Sequence, residues 1–142
     1  MTAPKHRLCI YCGSSTGNKP EFAAVARDLG RTMAEAGIGL VYGGGSVGLM
    51  GEVARAVLAA GGHVTGIIPD FLVSKERMLD GVNELIVTRT MHERKMGMFE
   101  RSTGFVALPG GIGTLEELAE ILTWAQLQQH ARPVLLLNVL DY

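Results

Sequence analysis

Between Leu108 and Glu117 the sequence reads LPGGIGTLEE, which places an apolar strand end, a glycine-rich turn and an acidic helix start within ten residues. The preceding run GFVAL, residues 104–108, reads as a buried strand, and Pro109 stops it. Gly110, Gly111 and Gly113 allow positive φ and close backbone approach. Amide N–H groups of the turn, together with donors that the following helix leaves unpaired, can then face a ligand. Phosphate is the natural guest of such a place. Glu117 adds a carboxylate, a group that stabilises developing positive charge or takes a proton from water. Thr114 and Glu117 also have capping-box spacing, a purely structural use in which both side chains satisfy helix amides. A Glu117 folded back on its own helix would be poorly placed to reach a substrate.

A second set of charged residues lies just upstream, in MHERKMGMFERS. Met91, Arg94, Lys95 and Arg101 fall on a short helix that leads directly into the strand ending at PGG. On periodicity alone this is a solvated charged face, but its proximity to that edge gives an arginine access to a phosphate or nucleotide. Glu76, in VSKERMLDG, reads as ordinary loop chemistry. The loop GGGSVGLMG contains a dinucleotide fingerprint, Gly43, Gly45 and Gly48 as GxGxxG, with Asp70 after the next strand as the ribose ligand. Against that cofactor reading, the pattern follows the second strand rather than opening the chain, and Asp70 sits between Pro69 and Phe71 instead of closing a clean strand. No GK[ST] is present for a P-loop.

Cys9 and Cys12 form a CxxC, but they fall in the strand-like LCIYC, where odd spacing sends the two side chains to opposite faces. A redox pair belongs at a helix start. No second cysteine pair completes a zinc site, and His6, His63, His92 and His130 lack ligand spacing. Buried structural thiols are expected, with no metal and no cofactor.

The elements that must position these groups alternate regularly. Leu8 to Tyr11, Gly39 to Tyr42, His63 to Ile68, Leu85 to Val87, Phe105 to Leu108 and Pro133 to Asn138 read as strands. Glu21 to Ala36, Leu49 to Ala60 and Leu115 to Leu127 read as helices, the first ended by Gly37. Trp124 in the last serves core or interface, with core packing preferred. Such alternation implies an α/β fold, a doubly wound parallel sheet with helices on both faces. Three glycine-bearing loops, CGSSTGN, GGGSVGLMG and PGGIGT, each follow a strand and so share one sheet edge, where ligands of such folds lie.

With 142 residues, 47% of them hydrophobic, the chain reads as a single domain with material for one core. A formal net charge of -1 carries no basic excess, which argues against nucleic-acid binding. No apolar run spans a membrane, and MTAPKHR leads into a strand rather than a signal segment, so a cytoplasmic location is expected.

GGGSVGLMG, MHERK and PGGIGTLEE, in that order and followed by TWAQL, resemble the Lonely Guy (LOG) family, the cytokinin riboside 5'-monophosphate phosphoribohydrolases, often mislabelled as lysine decarboxylases. The resemblance runs from Cys9 to the end of the sequence. It implies a Rossmann-like homodimer that cleaves the N-glycosidic bond of a nucleoside 5'-monophosphate, a cytokinin ribotide or AMP, releasing base and ribose 5-phosphate. Carried over by position, it makes Arg94 and Glu117 the catalytic pair. Substrate would be held by Glu76, Lys95, Gly111, Ile112, Gly113, Thr114, Leu115, Glu116 and Thr123, with Gly44 and Ser46 enclosing it. The family continues past the last strand with a helical segment that residues 1–142 are expected to lack.

Two other function classes compete. A nucleotide-binding carrier or sensor predicts binding without turnover. Pyridoxal-dependent lysine decarboxylation needs a Schiff-base lysine, and Lys5, Lys19, Lys75 and Lys95 show no evident setting for one.

Overall fold

Where apolar residues alternate with small or β-branched ones the chain extends, and where they recur at three and four residues it coils. The computed structural model describes residues 4–11, 20–44, 48–73, 81–107 and 134–136. Within them run β1 (Arg7–Tyr11), α1 (Pro20–Glu35), β2 (Gly39–Tyr42), α2 (Gly48–Ala59), β3 (Val64–Pro69), α3 (Asp70–Val73), β4 (Glu84–Thr88), α4 (Met91–Arg101), β5 (Gly104–Ala107) and β6 (Val134–Leu136). The expected strands all form: β2 has the expected bounds, β1, β3, β4 and the start of β5 differ by one residue, and Leu108, Pro133, Leu137 and Asn138 lie outside the described residues. The first two expected helices form as α1 and α2, and the third, Leu115 to Leu127, lies outside the described residues. The one-turn α3 was not anticipated: its four residues include none that is buried, so no periodic stripe announces it.

The strands make one sheet in the order β4-β3-β2-β1-β5-β6, and every pair is parallel. The chain steps outward from β1 to β4, then returns to the other side of β1 for β5 and β6. The order therefore reverses between β1 and β5, which is where an open α/β sheet leaves a crevice. Because all strands run the same way, the loops after β1, β2 and β5 leave from one edge, as the sequence implies.

Side chains of adjacent strands alternate between two cores. Ile10, Leu40, Tyr42, Val64 and Val106 meet α1 and α2 on one face, through Phe22, Ala26, Met33, Val53 and Val57. Cys9, Tyr11, Val41, Ile67 and Phe105 meet Met98 of α4 on the other. On that second face Phe105 stacks on Tyr11 at 6.3 Å and on Phe99 of α4 at 5.7 Å between ring centroids. Cys9 is fully buried and in no disulfide, the structural thiol expected; Cys12 lies outside the described residues. Among the described residues, no helix is long and apolar enough to cross a membrane.

Helices α1 and α2 end alike. Gly37 and Gly61 take φ of 72° and 79°, and each closes a Schellman motif. In the first, Ile38 N–H reaches Met33 O at 2.9 Å and Gly37 N–H reaches Ala34 O at 3.1 Å. In the second, Gly62 N–H reaches Val57 O at 2.8 Å and Gly61 N–H reaches Leu58 O at 3.0 Å. The two helices also touch each other closely at Gly30, where an added Cβ would lie 2.6 Å from Val53 O and 2.9 Å from the Ala56 methyl. An ion pair joins them too, Arg27 to Glu52 at 3.2 Å. With the Arg27 side chain 54% exposed, that pair contributes well under the close packing.

Two stability changes follow. Gly30→Ala gains about 1 kcal/mol of helix propensity but loses roughly 1–3 kcal/mol to overpacking, and Gly30→Val loses more. Both variants should lower the urea midpoint, with Val below Ala; an unchanged midpoint would mean that α1 and α2 separate freely. Thr65 is fully buried, yet its hydroxyl finds no partner among the described residues. Thr65→Val removes that unmet group in nearly the same shape, so it should raise stability by roughly 1 kcal/mol, read as a higher melting temperature.

Candidate active site

The N-terminus of α4 is fixed before its functional residues begin. Thr90, extended at φ -132° and ψ 162°, accepts Glu93 N–H on its hydroxyl at 3.1 Å. Glu93 reaches back so that its carboxylate accepts Arg89 N–H at 2.9 Å. This is a capping box displaced by one residue, and it satisfies donors that the helix start leaves open. At the other end, Ser102 donates its hydroxyl to Met98 O at 2.6 Å. Between these caps Met91, Arg94, Lys95 and Met98 recur at helical spacing and share one face.

That face closes over the ends of β2 and β3. The last β2–β3 pair is Tyr42 with Gly66, and one residue further on two carbonyls stand where the ladder stops. Arg94 takes both, donating Nε–H to Ile67 O at 2.9 Å and Nη2–H to Gly43 O at 2.9 Å. Its Nη1 lies 3.9 Å from Met91 Sδ. The guanidinium is thus held flat at the C-terminal edge of the sheet, by charge-assisted bonds of roughly 1.5–3 kcal/mol each.

Beside it is a cleft of about 390 Å³, its open mouth included, lined by Ile10, Tyr11, Gly43, Met50, Met91, Arg94, Lys95 and Met98. It lies against the end of β1, next to the reversal of strand order. Two cations edge an otherwise apolar, thioether-rich wall. Tyr42 sits on the opposite face of the sheet; burial pushes its hydroxyl well up, against a smaller opposing pull from Arg55. It is a core residue rather than an acid or base.

The structure brings together Arg94, Lys95 and Gly43, the residue that follows β2. Gly44, the next residue, is buried, with φ 85°, and Gly66 on β3 leaves room for it: a Cβ there would lie 3.0 Å from Gly44 Cα. Ser46, Glu76, Gly111, Ile112, Gly113, Thr114, Leu115, Glu116, Glu117 and Thr123 lie outside the described residues, so the Glu117 side chain does too. Arg101, grouped by sequence with Arg94, turns away and donates to Gly97 O at 3.3 Å. Sequence reasoning did not single out Ile10, Tyr11, Met50 and Met98 as lining. Met98 was legible, four residues after Arg94 and seven after Met91; the strand residues were not, because an alternating strand does not say which face is a cleft.

Asp70 needs a correction. Strand β3 runs on through Pro69, so Asp70 does stand immediately past a strand end, exposed at the start of α3. At Gly43, the first glycine of the fingerprint, the side-chain position is filled by Arg94; Gly45, the glycine that would meet a pyrophosphate, lies outside the described residues. Of the lysines weighed for a Schiff base, Lys5 is exposed and Lys95 lines the cleft; Lys19 and Lys75 lie outside the described residues.

Sheet order and crevice define a Rossmann-like α/β domain, with an anchored arginine beside a cleft at its strand ends. A family model described as "Possible lysine decarboxylase" matches residues 50–142. The chain belongs to that family, and within it to the Lonely Guy proteins. It is 52% identical over 136 residues to a probable cytokinin riboside 5'-monophosphate phosphoribohydrolase, LOGL5, of Oryza sativa subsp. japonica, covering 96% of this chain and 55% of that protein. It is 51% identical over 136 residues to the cytokinin riboside 5'-monophosphate phosphoribohydrolase LOG7 of Arabidopsis thaliana, covering 96% of this chain and 63% of that one. The chain thus spans little more than half the length of these curated relatives. Among solved structures it is similar to a Moco carrier protein from Chlamydomonas reinhardtii, with TM-score 0.77 and 28% identity over 94% of this chain and 76% of that one. A molybdenum cofactor binding protein from Rippkaea orientalis is equally similar, with TM-score 0.77 and 28% identity over 97% of this chain and 79% of that one.

The cap that seats α4 is testable on its own. Thr90→Ala should cost about 1 kcal/mol, while Thr90→Ser should stay within a few tenths. Denaturant midpoints of the two variants check this, and equal midpoints would deny the hydroxyl its role.

Proposed function

We propose that the protein hydrolyses the N-glycosidic bond of nucleoside 5'-monophosphates, cytokinin ribotides or AMP, to free base and ribose 5-phosphate. The observation that carries this reading is Arg94, pinned by Ile67 O and Gly43 O at the edge of the cleft that it shares with Lys95. The names of relatives at 51–52% identity support the reaction class. The strands β1 and β5 that flank the crevice lead directly into CGSSTGN and LPGGIGTLEE, the loops whose glycines suit phosphate.

In this reading Lys95 and the amides of residues 111–116 hold the 5'-phosphate, and binding energy from that remote group orients the reacting carbon. Glu76, Thr123, Gly44 and Ser46 complete the enclosure. As the bond from ribose to base breaks, its electron pair leaves with the base and positive charge develops on the ribose. Glu117 stabilises that charge and takes a proton from the water that adds to the sugar carbon; the leaving base ends by gaining a proton. Arg94 does not donate it, because a guanidinium keeps its protons. Its part is electrostatic, a fixed positive charge that orients phosphate or substrate. A homodimer in the cytoplasm belongs to the same proposal; the exposed apolar residues Phe71, Leu85 and Val87 on α3 and the edge strand β4 favour the dimer.

A second reading, a carrier that binds a nucleotide without turning it over, draws on the named roles of the two similar structures. Incubation with AMP and with isopentenyladenosine monophosphate, followed by chromatography, separates the two. Hydrolysis gives free base and ribose 5-phosphate in equal amounts. Glu117→Gln should then lower kcat by about 100-fold or more while nucleotide binding persists. Tight binding without base release would leave the carrier, and full activity in Glu117→Gln would remove the carboxylate from the mechanism.

A further inference from the structure

Two adjacent glycines end β2, and they are required for different reasons. Gly44 has φ 85°, a backbone conformation that L side chains rarely adopt. Gly43 is not among the glycines with positive φ, so its backbone would accept an alanine. What refuses one is a side chain from elsewhere in the chain. A Cβ built on Gly43 falls on Arg94 Nη2, with Cζ at 3.2 Å and Nε at 3.7 Å as the next atoms. All three nearest atoms belong to one guanidinium, which arrives from a residue 51 positions later and donates to the same glycine's carbonyl.

We infer that Gly43 is a positioning residue for Arg94: its missing side chain is the seat in which the guanidinium lies flat across the ends of β2 and β3. The kinetic part of this inference rests on the hydrolase reading; the structural part does not. The guanidinium is the far end of a flexible side chain, so a methyl at position 43 displaces it without forcing the strands apart. Displacement breaks its bonds to Ile67 O and Gly43 O together, since both depend on one plane, and two carbonyls at the end of the ladder lose their charged donor. The fold survives, but the fixed charge beside the cleft is lost. Glycine at position 43 is therefore set by an arginine on α4.

The test is a double-mutant cycle on the whole chain. Gly43→Ala, Arg94→Ala and the double variant are compared with wild type by thermal unfolding and by steady-state hydrolysis of AMP or isopentenyladenosine monophosphate. Gly43→Ala alone should lower the melting temperature and cut kcat/KM at least tenfold, dividing the loss between kcat and KM as Arg94→Ala does. Added to Arg94→Ala it should do nothing further to either, because the seat is already empty. Additive losses in the two backgrounds would overturn the inference, as would a Gly43→Ala enzyme that raises KM alone while Arg94→Ala lowers kcat. If Gly43→Ala fails to fold, the double variant decides: folding restored by Arg94→Ala supports the steric seat, and failure in both overturns it. If the wild-type protein releases no base, the hydrolase reading falls, and the melting cycle still decides the seat.

Discussion

A parallel ladder cannot end cleanly on its own. Where β2 and β3 stop pairing after Tyr42 and Gly66, the carbonyls of Gly43 and Ile67 need a donor, and a buried carbonyl without one costs on the order of 1–3 kcal/mol. Arg94 meets that need from the opposite direction, out of a helix on the other strand connection. The requirement reaches outward from there. Helix α4 must start at a fixed place, so Thr90 and Glu93 cap it. Its face must lie flat on the sheet, so Met98 and Phe99 pack against the row of Cys9, Val41, Ile67 and Phe105. Residue 43 must carry no side chain at all. The interaction that completes the sheet is thus also the one that gives the cleft its fixed cation.

The two faces of the sheet are held by different means. On one, α1 and α2 approach each other through Gly30 and lie over Leu40, Tyr42 and Val64, a mainly apolar contact. On the other, α4 combines an aromatic stack with charged hydrogen bonds. The first face is tolerant, because apolar residues of similar volume substitute for one another at little cost. The second is not, because a guanidinium in a two-carbonyl fork has no isosteric replacement, lysine included.

The architecture was largely legible in the sequence because each element has its own local signal. Alternation of apolar strands with 3.6-period segments specifies a parallel α/β sheet, and Gly37 marks the end of α1 through the left-handed turn that only glycine takes easily. The short α3 was not legible, since four residues of which none is buried carry no stripe. For the site, chemistry was readable and geometry was not. MHERK announces cations on a helix, but the partners of Arg94 are backbone carbonyls, which every residue possesses and no motif encodes. Gly43 looked like part of a phosphate or dinucleotide loop because sequence cannot tell a glycine that serves a turn from one that serves a neighbour. The capping question at Glu117 belongs to a segment outside the described residues, whereas the same motif at Thr90 and Glu93, unnoticed in the sequence, is present and works as a cap.

The contacts that seat α4 also set when the cleft can exist during folding. Arg94 bonds to partners 27 and 51 residues earlier in the chain, and Thr103, just past the helix, bonds Arg7 across 96 residues. Contacts of such separation pay their loop-closure entropy before they return anything, and chains dominated by them fold slowly. Helices α1 and α2 can pair early, with only a short strand between them. The cleft, in contrast, has no partial form: until β2 and β3 have paired and α4 has docked on them between β4 and β5, Arg94 has nowhere to lie, and a half-folded chain holds its helices without holding a site.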